Sequence, residues 1–303
     1  MKMDNVTNQR QMCIQHLSNF NLQYTLESGQ SFRWNRVDDA YYGVVEGRIL
    51  RIQQSDDTLI IESSGNEPIS KPHLSHYLDL NRELASILAA VNVDAYIGQA
   101  INRFWGMRLL NQELWETIAS FILSQNNNMG RIRSIIRTLS ERFGSRLEFE
   151  GYADYTFPTP QALVDAGVDE IFDCGTGYRA SYLWHAASKV SNEELKLDTL
   201  KQMNYTEAKH ELMQLKGIGE KVADCICLFS LGHLTALPVD VWIKRIFETI
   251  YLRKRATARE IQEFAKNYFG EFVGYAQQYL FHYAQNHPNW ADAEHLALRY
   301  KER

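Results

Sequence analysis

Between about Tyr24 and Glu62 apolar positions recur at strand spacing. The runs SFRWNR, AYYGVVEGRILRIQQ and TLIIES are rich in β-branched and aromatic residues, which suit a pleated, half-buried surface. Turn signals at Asp38-Asp39, Glu46-Gly47 and Asp56-Asp57 separate them, so this stretch predicts antiparallel hairpins. After about Leu80 the period becomes helical. Leu114, Trp115, Ile118, Phe121 and Ile122 form one apolar stripe, with Asn111 as its expected N-cap. Ile132, Ile135, Ile136 and Leu139 form another, closed by Phe143-Gly144. Thr159-Pro160 offers a cap and a first-turn proline for QALVDAG, and Thr206 is expected to open EAKHELMQL. Asp240 begins VWIKRIFETIYL, and a last long helix spans about Gly270 to Asn286. The pattern predicts an α+β chain, with an antiparallel sheet domain over 1–105 and a mainly helical domain over 106–303. No internal repeat or low-complexity segment interrupts it.

At 303 residues the chain can bury a substantial core, and its formal net charge of -5 argues against a protein that coats nucleic acid indiscriminately. The charge is unevenly spread. Residues 54–100 hold seven acids against two bases, whereas Lys216–Arg255 holds seven bases against four acids. Asn126–Arg142 adds four arginines against one glutamate. Local basic faces on an acidic protein suit an enzyme that must find DNA and leave it, although solvated helix faces give similar counts. Cys13, Cys174, Cys225 and Cys227 show neither a disulfide framework nor metal-ligand spacing, so no metal site is expected. There is no basic-then-apolar leader and no apolar run approaching about 18 residues. The expectation is a cytoplasmic monomer without membrane contact, nucleoid-associated if bacterial.

The chemistry concentrates in LKGIGEKVADCICLFSLGHLTALPVD, residues 215–240. Gly217 and Gly219 precede a helical run, where glycine lets backbone N–H groups approach a phosphate and the helix dipole favours an anion. Lys221 lies in the first turn, where the positive helix end and burial are expected to favour its neutral, nucleophilic form. Asp240 can cap the next helix while facing that lysine. Gly-x-Gly before a helix is common, and a lysine there is usually a solvated surface residue. The combination carries the reading.

This segment resembles the helix-hairpin-helix plus Gly/Pro-Asp motif of base-excision DNA glycosylases. GIGEKVADCICL followed by LPVDVW is most similar to the 8-oxoguanine DNA glycosylase branch. Four further blocks resemble that branch in its own order: ESGQSFRW from Glu27, SQNNNMGR from Ser124, GYRASY from Gly177 and YAQQYLF from Tyr275. The resemblance spans roughly residues 20 to 285. It implies a TBP-like sheet domain, a helical glycosylase domain and a lesion pocket between them. It further implies a bifunctional glycosylase and abasic-site lyase that removes 8-oxoguanine, preferentially opposite cytosine, from duplex DNA.

The resemblance also assigns residues. Lys221 becomes the nucleophile that forms a Schiff base with the sugar, and Asp240 the carboxylate that stabilises charge at C1′ and helps activate the amine. Asn126 fills the hole left by the flipped nucleotide and Tyr178 wedges the neighbouring step. Arg131 and Arg179 read the orphaned cytosine, whose O2 and N3 accept what guanidinium donates. Phe281 stacks on the flipped base, Gln277 one turn earlier reads its edge, and Cys225 forms the opposite wall. The Gly29 carbonyl discriminates 8-oxoguanine from guanine at N7, where only the lesion carries a proton. Trp242 departs from the pattern, since familiar eukaryotic members carry a phosphate-contacting histidine there. Lys216 replaces the usual proline and adds a charge beside the hairpin. No cofactor is needed for the chemistry, and a structural cation at the hairpin loop remains compatible. Two other readings stay open: a broad glycosylase for alkylated or other purines, and a noncatalytic DNA-binding module, which has no need for Lys221 and Asp240 together.

Overall fold

The computed structural model describes residues 11–65 and 69–287; the outer ends of both expected domain ranges lie outside them. Strands β1 (Gln11–Ile14), β2 (Asn35–Val37), β3 (Ala40–Val45), β4 (Arg48–Ser55) and β5 (Thr58–Ser63) form one antiparallel sheet in the order β1-β5-β4-β3-β2. All three expected turn pairs join consecutive strands, with Asp38, Glu46 and Asp56 at φ of 52°, 49° and 52°. Two details differ from the pattern. Tyr24 belongs to helix α1 (Leu22–Glu27), capped by the Asn21 side chain, which accepts from the Tyr24 N–H. Strand β1 was not visible, because its pairing partner β5 lies far along the chain and no hairpin signal links them.

The helical part runs α2 (Lys71–Tyr77), α3 (Leu84–Val91), α4 (Ala95–Arg103), α5 (Leu114–Ser124) and α6 (Met129–Phe143). A small hairpin, β6 (Arg146–Phe149) and β7 (Tyr152–Tyr155), precedes α7 (Pro160–Ile171), α8 (Arg179–Ser191) and α9 (Leu197–Leu200). Then come α10 (Tyr205–Leu212), α11 (Glu220–Phe229), α12 (Val241–Ile246), α13 (Ala258–Phe269) and α14 (Val273–Asn286). Thr159 caps α7 as its sequence implies. Asn111 does not cap α5, which starts after Glu113; its amide donates instead to the His76 carbonyl at 2.7 Å. Asn204 rather than Thr206 opens α10, in a reciprocal capping box with Glu207. No described helix is long and apolar enough to cross a membrane.

Two hydrophobic cores result. Leu50, Ile52, Leu59 and Ile61 of the sheet pack with Trp34 and with Leu74 and Tyr77 of α2. The larger core gathers the helices from α3 onward. Leu110 belongs to the sheet core and Phe32 to the helical one, so the two cores interleave along the chain. Helix α14 joins the halves. Its fully buried Tyr275 donates to the Asp79 carboxylate and Tyr279 to the Met107 carbonyl at 2.8 Å. A buried hydroxyl left unpaired costs about 1–3 kcal/mol, so these bonds fix where α14 sits. Arg108 continues the joint, donating to the Asp79 and Arg82 carbonyls at 2.6 and 2.8 Å and to Asn19 O.

Candidate active site

The hairpin α10–α11 shows why its two glycines differ. Gly217 has φ +83°, a conformation costly for residues with a Cβ, and an added Cβ would meet Tyr182 Cγ at 2.6 Å. Gly219 is extended, φ -94° and ψ -179°, caps α11 and has nothing within 4 Å of an added Cβ. The first turn of α11 thus opens onto free space, where its unsatisfied N–H groups and dipole favour an anion. From beneath, the fully buried Asp224 ties the hairpin together. It accepts from Tyr205 Oη at 2.7 Å, Lys209 Nζ at 2.9 Å and Gln262 Nε2 at 2.8 Å. Burial raises its pKa against the Lys209 charge. Gln262 also donates to Leu237 O at 3.1 Å, so one polar cluster holds both the hairpin and the segment leading to Asp240.

Asp240 caps α12, its Oδ1 accepting from the Ile243 N–H at 2.8 Å. Burial raises its pKa, opposed by backbone N–H bonds and by the nearby Lys221 ammonium. Lys221 stands one turn before Cys225 on α11, with Nζ 5.6 Å from the centre of the Phe121 ring. The expected push toward a neutral amine is not what the site shows. The Lys221 pKa is raised: the Cys225 sulfur raises it most, burial opposes, and Asp240 raises it further. Cys225 is itself buried, and burial pushes its thiol up to about 11. Near neutral pH that thiol keeps its proton, so its anionic pull on Lys221 is absent. Burial and Asp240 then act in opposite directions on the amine.

Gly29 and Phe281, two of the residues expected to line a base pocket, meet at the loop after α1. Gly29 has φ +82°, and a Cβ there would touch Phe281 Cε1 at 3.4 Å, so Gly29 and Phe281 are neighbours. Phe32, three residues on, meets the Phe121 ring edge-on at 5.6 Å, which links this loop to the aromatic ring beneath Lys221. Gln277 is 5 % exposed, and among the described residues its Oε1 has no hydrogen-bond partner. A buried amide oxygen left unpaired is costly and marks a position suited to an incoming donor. Trp242 is half buried against the helical core, without a ring contact or side-chain hydrogen bond to Gly29, Gln277 or Phe281.

A second cluster forms where α5 passes into α6. Asn126 has φ +46°, is exposed, and its Nδ2 lies 3.4 Å from Tyr178 Oη. Tyr178 is 51 % exposed and packs edge-on against Tyr182, the ring under Gly217. The two arginines behave differently. Arg179 is 4 % exposed and its guanidinium is spent on the carbonyls of Gln125, Asn126 and Thr176. It braces the turn that presents Asn126, while its planar cation lies 4.5 Å from the Tyr178 ring centre. Arg131 is exposed and makes one long bond, 3.4 Å, to Gly175 O, so its guanidinium is available. Lys244, Arg245, Arg253, Lys254 and Arg255 add an open basic groove beside α12. A cavity of about 520 Å³ between α6 and β7 is lined by Arg133, Arg137 and Asp154 and does not include Lys221.

Sequence reasoning did not single out Asp224, Gln30, Gln112 or Gln278. Their roles depend on partners remote in the chain.

Residues 13–118 match the family described as 8-oxoguanine DNA glycosylase, N-terminal domain, and residues 119–271 match the HhH-GPD superfamily of base excision DNA repair proteins. The N-glycosylase/DNA lyase of Saccharomyces cerevisiae is 32% identical over 75% of this chain and 67% of its own. Among solved structures, MBOgg1 in complex with a low-affinity DNA ligand superposes with a TM-score of 0.87 at 40% identity, covering 91% of this chain and 96% of that one. The Clostridium acetobutylicum 8-oxoguanine glycosylase/lyase, bound to duplex DNA with cytosine opposite 8-oxoguanine, gives a TM-score of 0.86 at 32% identity over 91% and 95%.

Proposed function

The chain belongs to the 8-oxoguanine DNA glycosylase branch of the HhH-GPD base-excision repair family, and we propose that it removes 8-oxoguanine, preferentially opposite cytosine, through an imine on Lys221. Family membership makes it a DNA N-glycosylase with abasic-site lyase activity. The observation that best supports the specific reading is the orphaned Gln277 Oε1. It is one helical turn from Phe281, which itself touches Gly29. A flipped purine stacked on Phe281 would offer its Watson–Crick edge to Gln277 and its N7 proton to the Gly29 carbonyl. Guanine has no proton at N7, so it forfeits that bond.

In the proposed reaction Lys221 Nζ, as the free amine, attacks C1′ and the bond from C1′ to the base nitrogen breaks. The electron pair leaves with the base, which takes up a proton. Ring opening gives an imine between Nζ and C1′, and elimination of the 3′ phosphate follows by loss of a C2′ proton. Asp240, with a pKa raised by burial, can take the proton that Lys221 must lose and pass it to the departing base, and as the carboxylate so restored it stabilises positive charge on the sugar. Displacement of solvent by the DNA adds to the burial that favours the free amine. Asn126 and Tyr178 occupy the gap and the neighbouring step, Arg131 reads the orphaned cytosine, and Gly217, Gly219 and the α11 N-terminus grip a backbone phosphate. Cys225 walls the pocket, and Trp242 takes the phosphate-side position by packing rather than by an imidazole contact. This chemistry uses only the amine, the carboxylate and water. A structural cation at the hairpin would rest on backbone carbonyls, since among the described residues no group of three His, Cys, Asp or Glu side chains is placed to hold a metal.

The test is borohydride trapping on a duplex with 8-oxoguanine opposite cytosine, beside Lys221→Gln. A covalent adduct in the wild type, absent in the variant while lesion binding persists, is expected. Full cleavage by Lys221→Gln would sink the mechanism.

A further inference from the structure

Three glutamine amides enclose the loop that carries Gly29. Gln278, the neighbour of Gln277 on α14, donates from Nε2 to Ser28 O at 2.8 Å. Gln30 is fully buried: its Nε2 donates to Thr25 O at 2.8 Å, Ser28 Oγ at 3.0 Å and Arg108 O at 2.8 Å, and its Oε1 accepts from the Leu110 N–H at 2.8 Å. Gln112 donates to the Gln30 carbonyl at 2.8 Å. The carbonyls on either side of Gly29 are therefore both engaged, while the Gly29 carbonyl itself accepts no hydrogen bond among the described residues.

We propose that Gln278, acting with Gln30 and Gln112, is a specificity-positioning residue: it locks the peptides flanking Gly29 so that the Gly29 carbonyl points where an N7 proton must arrive. The inference rests on the reading of Gly29 given above. Its physical basis is rotation. Gly29 sits at φ +82° without a side chain, so nothing of its own restrains the peptide plane. A turn of that plane by tens of degrees redirects the carbonyl and removes the single bond that separates lesion from normal base. Charge-free amides suit this task, because each donates to a backbone carbonyl with no ionisation to manage. The neighbours on α14 divide the work: Gln278 faces the loop backbone, and Gln277 keeps its amide oxygen free. The chemistry at Lys221 does not depend on this lock, since an abasic site presents no base to be read.

That separation supplies the test. Gln278→Met keeps the buried volume and removes the donor to Ser28 O; Gln278→Asn keeps the amide and shortens its reach. Each variant is assayed for 8-oxoguanine excision, for cleavage at a preformed abasic site, and for binding to duplexes carrying 8-oxoguanine or guanine opposite cytosine. Excision is expected to fall about tenfold and the preference for lesion over guanine to narrow by a similar factor, with abasic-site cleavage unchanged within about twofold. Parallel loss of both activities, in the variant that melts like wild type, overturns the proposal. So does retention of full lesion preference in either folded variant. If wild type itself shows no preference for 8-oxoguanine over guanine, the reading of Gly29 fails first.

Discussion

Alanine at Gly217 and alanine at Gly219 should separate the two glycines of the hairpin, which look equivalent as GIG. At Gly217 the left-handed backbone alone costs a residue with a Cβ about 1–2 kcal/mol. The new Cβ would also fall 2.6 Å from Tyr182 Cγ and 2.9 Å from Cε2, closer than contact allows. Relief requires moving a half-buried ring that also supports Tyr178. Overpacking of this kind adds about 1–3 kcal/mol, for a total near 3 kcal/mol. At Gly219 the backbone is extended and the space empty, which leaves only the weak preference for glycine over alanine at an N-cap, about 0.5 kcal/mol. The methyl would instead stand where a phosphate must approach the α11 N-terminus. Thermal melting and DNA titration check both sites. At about 2–4 °C per kcal/mol for a chain of this class, Gly217→Ala should lower Tm by roughly 6–12 °C and Gly219→Ala by no more than about 2 °C. Gly219→Ala should nevertheless weaken DNA binding about tenfold. Adding Tyr182→Ala to Gly217→Ala should recover the overpacking part and leave the backbone part, a non-additivity a double-mutant cycle measures. Equal destabilisation by the two alanines would refute this account of the hairpin.

Two other perturbations have defined outcomes. Arg131→Ala should relax the preference for cytosine opposite the lesion by about tenfold, because its exposed guanidinium is free to read that base; an unchanged ranking of the four opposite bases rejects the role. His282, buried against the Phe104 ring, has its pKa lowered to about 4 by burial, with Glu27 opposing and Arg103 and His287 adding smaller effects. Its folded pKa lies below the unfolded value near 6.5, so the unfolded chain binds the extra proton between those values. Its contribution to stability is therefore full above pH 6.5 and is lost as pH falls toward 4. Between pH 7.5 and 5 the loss is about 2 kcal/mol. His282→Gln should flatten that part of the pH dependence of Tm, and an unchanged acid slope would contradict it.

Legibility in the sequence followed the range of each interaction. The paired turn residues, the Thr159-Pro160 start, Asp240 as a cap and the shared face of Lys221 and Cys225 all depend on neighbours within four residues. Composition and spacing therefore displayed them directly. The motif blocks likewise gave the family and its reaction class, because they carry chemistry in contiguous letters. Strand β1 escaped, since pairing with a distant strand leaves no local mark. The β6–β7 hairpin does leave a local mark, because Glu150-Gly151 repeats the turn signature of Glu46-Gly47.

What the residues do inside the site was decided by the tertiary structure. Gly217 must be glycine because Tyr182 lies under it, which no feature of the hairpin itself reveals. Arg131 and Arg179 are the same residue type in similar motifs, yet packing leaves one guanidinium free and spends the other on three carbonyls. Gln277 and Gln278 are adjacent letters, separated in role only by a bond that spans 250 positions to Ser28. The Lys221 amine is likewise poised between its burial and the Asp240 carboxylate at the start of the next helix. Electrostatic and steric effects act through space, so a sequence can nominate the groups that do chemistry, and only the fold fixes their neighbours.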